Sequence, residues 1–151
     1  MITIDYQKFI MRKDLKNNPD KIYVFGDNDH RSGYGGQAKE MRGESNAIGI
    51  RVKKSPSMSS NAFYTDDEYS NNIKKISDDL ITLYNASHYK IIVFPSNGIG
   101  TGYAMLSKTA PRTFLFLNTK LYEMFGIHNG SNSIIKLRQQ MKSTCKCKRR
   151  K

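Results

Sequence analysis

Two stretches decide the fold: Ile22-Tyr-Val-Phe-Gly-Asp-Asn28, running into Gly33-Tyr-Gly-Gly36, and Ile91-Ile-Val-Phe-Pro-Ser-Asn97, running into Gly98-Ile-Gly-Thr-Gly102. Each opens on four consecutive β-branched or aromatic residues, the pattern of a strand buried on both faces. Each then breaks into glycine, where the missing Cβ lets backbone N–H groups approach a ligand closely. Open α/β sheets bind ligands beyond the carboxyl ends of their strands, so two such turns predict one shared, nucleotide-like site.

Working outward, Asn46-Ala-Ile-Gly-Ile-Arg-Val52 predicts a further strand, Gln7 to Met11 a short first strand, and Tyr89 to Phe94 the full extent of the strand that opens the second stretch. Between them, Gln37 to Arg42 fits one or two helical turns. Thr65-Asp-Asp-Glu68 spells a capping box, after which Tyr69, Ile73, Ile76, Leu80 and Leu83 recur at helical spacing as far as about Asn85. Ser107 or Thr109 is placed to cap another helix with Pro111 in its first turn. Phe114, Leu117, Leu121 and Met124 mark its buried face, and Gly126 ends it. A last short helix is expected from Ser131 to about Met141.

This alternation predicts an α/β fold: a three-layer α/β/α domain over residues 1–130 with a compact, mostly parallel mixed sheet. Residues 131–151 are expected to form the short helix and a flexible basic tail. No internal repeat or second domain is expected.

The net charge is +12, and no acidic residue follows Glu123, whereas residues 131–151 carry eight lysines and arginines. Such a tail attracts polyanions in a salt-dependent manner without reading sequence, and it also serves simply as a solubilising end. No segment has the length of apolar sequence that a membrane span requires, and the start of the chain lacks a signal peptide's pattern. A soluble, cytoplasmic protein is expected. Cys145 and Cys147 supply two thiols where structural zinc needs four ligands, and His30, His88 and His128 are scattered, so neither a metal centre nor a cofactor is expected.

Neither glycine turn matches a common fingerprint. Gly33-x-Gly-Gly36 is not the dinucleotide pattern, and the second turn lacks the Lys-Ser/Thr of a P-loop. What fits is a diphosphate held between two loops of backbone amides, with Gly35, Gly36 and Ala38 on one wall and Asn97, Gly98, Ile99, Gly100 and Thr101 on the other. Asp27 and Asn28 are placed to bond a base or a ribose hydroxyl. The polar loop Lys53-Lys-Ser-Pro-Ser-Met-Ser-Ser60 either lines an anionic pocket or is solvated.

Phe25-Gly-Asp-Asn28 with Gly35-Gly-Gln-Ala38, and Val93-Phe-Pro-Ser-Asn-Gly-Ile-Gly-Thr-Gly-Tyr103, resemble the two ligand loops of macrodomains. The pattern over residues 11 to 125 is also similar to small uncharacterised proteins of T4-like phages and bacteria. The macrodomain resemblance implies binding of ADP-ribose or a related nucleotide, with hydrolysis of it or of its protein conjugate as an associated activity. It implies Asn28 at the distal ribose, Gly35 and Gly36 at the diphosphate, and Gly98 to Tyr103 at phosphates and ribose. The family's Asn-Ala-Ala-Asn run and its three consecutive glycines are absent here.

The candidate ligand-binding residues are therefore Gly26, Asn28, Gly35, Gly36, Ser96, Asn97, Gly98, Ile99, Gly100, Thr101, Gly102 and Tyr103. Asp27 and Asn28 are the catalytic candidates, Asp27 either as general base or simply as a hydrogen-bonding group within its turn. Ser96 and Thr101 lack evident His–Asp partners, and His30 is relevant only if its loop folds inward. The competing expectation is a non-enzymatic protein that engages a host protein or nucleic acid through its basic surface and tail.

Overall fold

A computed structural model describes residues 2–130. The expected terminal helix and basic tail lie outside the described residues. The elements are β1 (Thr3–Gln7), α1 (Arg12–Asn17), β2 (Ile22–Asn28), α2 (Ala38–Met41), β3 (Ala47–Lys53), α3 (Tyr69–Ala86), β4 (Ile91–Pro95), α4 (Leu106–Thr109) and α5 (Pro111–Phe125). The strands form one sheet in the order β1-β4-β2-β3, and every pairing is parallel. The antiparallel member that a mixed sheet would carry is absent among the described residues.

The apolar runs form central strands because both of their faces are covered. Ile22 and Val24 of β2 join Ile50, Val52, Ile92 and Phe94 beneath α3 and α5, where Ile76, Leu80, Leu83, Leu117 and Leu121 complete the larger core. The alternate residues Tyr23, Phe25 and Val93 meet Leu15 of α1 and Ala38 and Met41 of α2 in a smaller core on the opposite face. Two cores around one sheet make the three-layer α/β/α domain.

Topology then creates a crevice. After β2 the chain passes to α2 on the small-core face, whereas after its neighbour β4 it passes to α4 and α5 on the large-core face. Adjacent strands whose connections leave in opposite directions define a switch point, the place where open α/β sheets bind ligands.

Several boundaries differ from expectation. The first strand lies at Thr3–Gln7, not Gln7 to Met11, because Ile2 and Ile4 pack on the larger core while Phe9 is 80% exposed in a turn with φ of +57°. The segment read as a polar turn contains α1, which inserts Leu15 under the sheet and is held at its start by Asp14, whose Oδ2 accepts from the Met11 N–H at 2.8 Å. The strand expected from Tyr89 starts at Ile91, since Tyr89 is fully exposed with φ of +61°.

The capping box at Thr65 does not form. A short 3-10 turn spans Asp66–Glu68, Thr65 makes no side-chain cap, and Glu68 pairs with Lys54 at 2.6 Å. Nor does Ser107 or Thr109 cap the later helix. Instead Asp66 caps α5 from a distance: its carboxylate accepts from the N–H of Arg112 at 2.9 Å, the N–H of Thr113 at 3.0 Å and the hydroxyl of Thr113 at 2.9 Å. Helix α5 does end at Gly126, at φ of +70°, with Gly126 N–H bonded to Tyr122 O and Ile127 N–H to Leu121 O.

Two orphan amides and the positive end of α5 thus rest on one side chain from another segment. Asp66→Ala is expected to destabilise the domain by about 1–2 kcal/mol, in line with the loss of an N-cap, and Thr65→Ala by less than about 0.5 kcal/mol. Urea denaturation of the two variants measures the difference.

Candidate functional site

β2 and β4 are paired only at Ile22/Ile92 and Tyr23/Val93. Beyond those pairs the strands part, and the side chain of Gln37 takes the place of the missing ladder. Gly26 N–H donates to Gln37 Oε1 at 2.9 Å, and Gln37 Nε2 donates to Gly98 O at 2.9 Å. At these strand ends a cleft of about 670 Å³ opens between the two glycine loops.

Gly33, Gly35 and Gly36 form one wall, and Asn97, Gly98, Gly100, Thr101, Gly102 and Tyr103 the other. Val52, Lys53, Pro56 and Met58, from the end of β3 and the loop after it, close a third side. Among the described residues, the N–H groups of Gly35, Gly36 and Ala38, and those from Gly100 to Ala104, donate to no protein acceptor. Such unsatisfied backbone donors on facing loops are suited to an anion.

The second loop is held from behind. Asn129 is buried, accepts from the Ile99 N–H at 2.7 Å, and donates through Nδ2 to Ile99 O at 3.0 Å and to Asn118 Oδ1 at 2.7 Å. It thereby acts as a strand partner for a single residue. Gly98 is required beside it, because φ is +85° and a Cβ there would lie 2.5 Å from Asn129 Oδ1. Ile99 accordingly points into the larger core and does not line the cleft, contrary to expectation. Ser96 also lies outside it, where its N–H continues the ladder to Gln7 O at 3.0 Å.

Gly26, Asp27 and Asn28 do line the cleft, but the side chains of the latter two are engaged. Asn28 shapes its own loop, accepting from the His30 N–H at 3.0 Å and donating to Ser32 O at 2.8 Å. His30 itself is exposed. Asp27 is 5% exposed, and its carboxylate receives Arg42 at 2.5 Å, Arg31 at 3.2 Å and the Asn28 N–H at 2.8 Å. A carboxylate so filled is a structural anion, which removes it from the role of general base.

The ion pairs extend further. Arg31 also reaches Asp79 of α3 at 2.6 Å, and Asp79 holds Arg51 through its guanidinium and through its backbone N–H at 2.8 Å. With Arg31 donating to Gly49 O at 2.8 Å, this chain of charges covers outward backbone groups of the edge strand β3 and denies them to another strand. The Asp79 hydrogen bond raises the Arg51 pKa. Nearby, burial and a hydrogen bond to Asp29 raise the Tyr64 pKa, keeping its hydroxyl a donor to Asp29 Oδ1 at 2.6 Å.

Lys53 is the exception to this pairing. It is the one buried lysine among the described residues, at 7% exposure, and none of their carboxylates pairs with it. Its ammonium donates to Ser57 O at 2.6 Å, approaches Met58 Sδ at 3.5 Å and sits 4.8 Å from the centre of the Phe63 ring. Burial lowers its pKa.

With the site assembled, the chain can be placed among known sequences. It belongs to a family of unknown function, DUF7831, which matches residues 5–120. No curated protein matches it, and no solved structure does. The family match spans both glycine loops, Gln37 and Lys53, whereas Asn129 lies beyond it.

Sequence reasoning missed Gln37, Arg42 and Asn129, and left Lys53 open between a pocket and a solvated loop. Gln37 carried a signal, since a polar amide directly after two glycines at a strand-end loop is placed to bridge backbone groups. Asn129 carried none, because its partners are 11 and 30 residues away.

Two stability experiments follow. Gln37→Ala leaves a part-buried N–H and C=O without partners and is expected to cost about 1–3 kcal/mol in chemical denaturation, with faster amide exchange at Gly26. For Lys53, a lowered pKa means that protonation opposes folding: this group's contribution to stability is present above the unfolded lysine value of about 10.4 and lost as pH falls through the lowered value. At neutral pH Lys53→Met is therefore expected to raise the Tm measured by calorimetry.

Proposed function

We propose that this domain binds ADP-ribose or a closely related nucleotide, with the diphosphate between the Gly33–Gly36 and Gly98–Gly102 loops. The observation that carries the reading is the cleft at the β2/β4 switch point, walled on two sides by loops with unbonded backbone N–H groups. Its volume of about 670 Å³ suits a small molecule of this class. Tyr103, 65% exposed at the cleft and close to Gly36, offers an aromatic face for a base or ribose. The engaged state of Asp27 supports a binding protein over a hydrolase that uses this carboxylate.

Calorimetric titration with ADP-ribose tests the reading. A control at Gly100 would confound it, because φ there is +75° and a Cβ would lie 3.2 Å from Leu106 Cδ2. Gly35 is the better position, since an added Cβ meets nothing within 4 Å. Wild-type protein is expected to give saturable heat, and Gly35→Glu, which sets a negative charge in the cleft, to lose it with an unchanged Tm. Absence of heat from the wild type at millimolar ADP-ribose removes the reading.

A further inference from the structure

We infer that Lys53 is the cation that holds a phosphate group of the ligand, so that the cleft selects phosphate-bearing compounds and refuses the corresponding neutral nucleoside. The inference rests on the proposed nucleotide reading for the ligand's remaining parts, and on separate observations for the phosphate.

The first observation is the contrast among cations. Arg31, Arg42, Arg51, Lys54 and Lys75 each face a carboxylate within 3.2 Å, yet Lys53, more buried than any of them, faces none among the described residues. A buried ammonium without a counter-ion is costly, and the Ser57 carbonyl that it meets would be served as well by a neutral donor. The second is the backbone. The pairing of β2 with β3 slips between Asp27/Arg51 and Asn28/Lys53, leaving Val52 as an extra residue. Bulges of this kind re-aim a side chain, and the one re-aimed here lines the cleft. The third is the surrounding donor set. Backbone N–H groups without acceptors on both glycine loops line the same cleft as Lys53, and such donors together with an ammonium are the groups that recognise a phosphate.

The test compares wild type, Lys53→Met and Lys53→Arg by calorimetry with ADP-ribose, inorganic pyrophosphate and adenosine, alongside NMR of the lysine ε-methylene signals during pyrophosphate addition. Lys53→Met is expected to weaken ADP-ribose and pyrophosphate by about tenfold or more, the loss of a charge-assisted hydrogen bond. Lys53→Arg retains most of the affinity, adenosine does not bind measurably, and the Lys53 signal shifts. If wild type and Lys53→Met bind ADP-ribose equally, the inference falls while the nucleotide reading stands. If wild type ignores ADP-ribose but binds pyrophosphate through Lys53, the nucleotide reading falls and the inference stands. If neither ligand binds, both fall. Should Lys53→Met not fold, an unmoved Lys53 signal in wild type overturns the inference.

Discussion

The carboxamide of Gln37 sets the separation of β2 and β4 where their own ladder stops. It accepts from Gly26 and donates to Gly98, so one planar group satisfies the backbone of both strand ends. Without it, the N–H of Gly26 in β2 and the C=O of Gly98 in the loop after β4 would be left unpaired, and burial without partners is the costly state for such groups. The cleft therefore exists at the point where side-chain bonding replaces strand pairing. Asn129 repeats the device in the second loop, holding Ile99 by its N–H and C=O while the neighbouring Gly98 and Gly100 line the cleft.

Charge is arranged around this opening in two different ways. Arg42, Asp27, Arg31, Asp79 and Arg51 form a continuous alternation that ties the β2 loop to α3 and covers the outer edge of β3. Each charge there has an opposite neighbour. Lys53 stands apart, buried in the cleft wall with a carbonyl, a thioether and an aromatic ring beside it and no carboxylate among the described residues. Burying an ammonium away from any carboxylate opposes folding, and this is the group to which the proposed phosphate contact is assigned.

Much of the architecture was legible because it rests on local pattern. The runs at Ile22 and Ile91 are uniformly apolar since each strand is covered on both faces, and Ile76, Leu80 and Leu83 recur at helical spacing since one face of α3 meets the sheet. Gly126 was readable as a helix stop because only a left-handed residue closes that turn. The caps were not readable. Thr65 has the correct spacing for a box, yet Asp66 next to it serves α5, a helix 46 residues away, and no local rule anticipates that. Asp27 left two readings open for the same reason: its position at a strand end is local, whereas its engagement by Arg31 and Arg42 depends on how the loop and α2 return over the sheet.

The sequence by itself determined the alternation of strands and helices, the two glycine loops and their place at strand ends, because these follow from hydrophobic period and from where a Cβ is tolerated. Tertiary structure alone decided which loop residues face the cleft and which, like Ile99, enter the core. It also decided which charges cancel and which remain. Both outcomes depend on contacts between segments distant in the chain, among them Gln37 with Gly98, Asn129 with Ile99, and Arg31 with Asp79. A carboxylate becomes inert, or an ammonium available, only through the neighbours that folding brings to it.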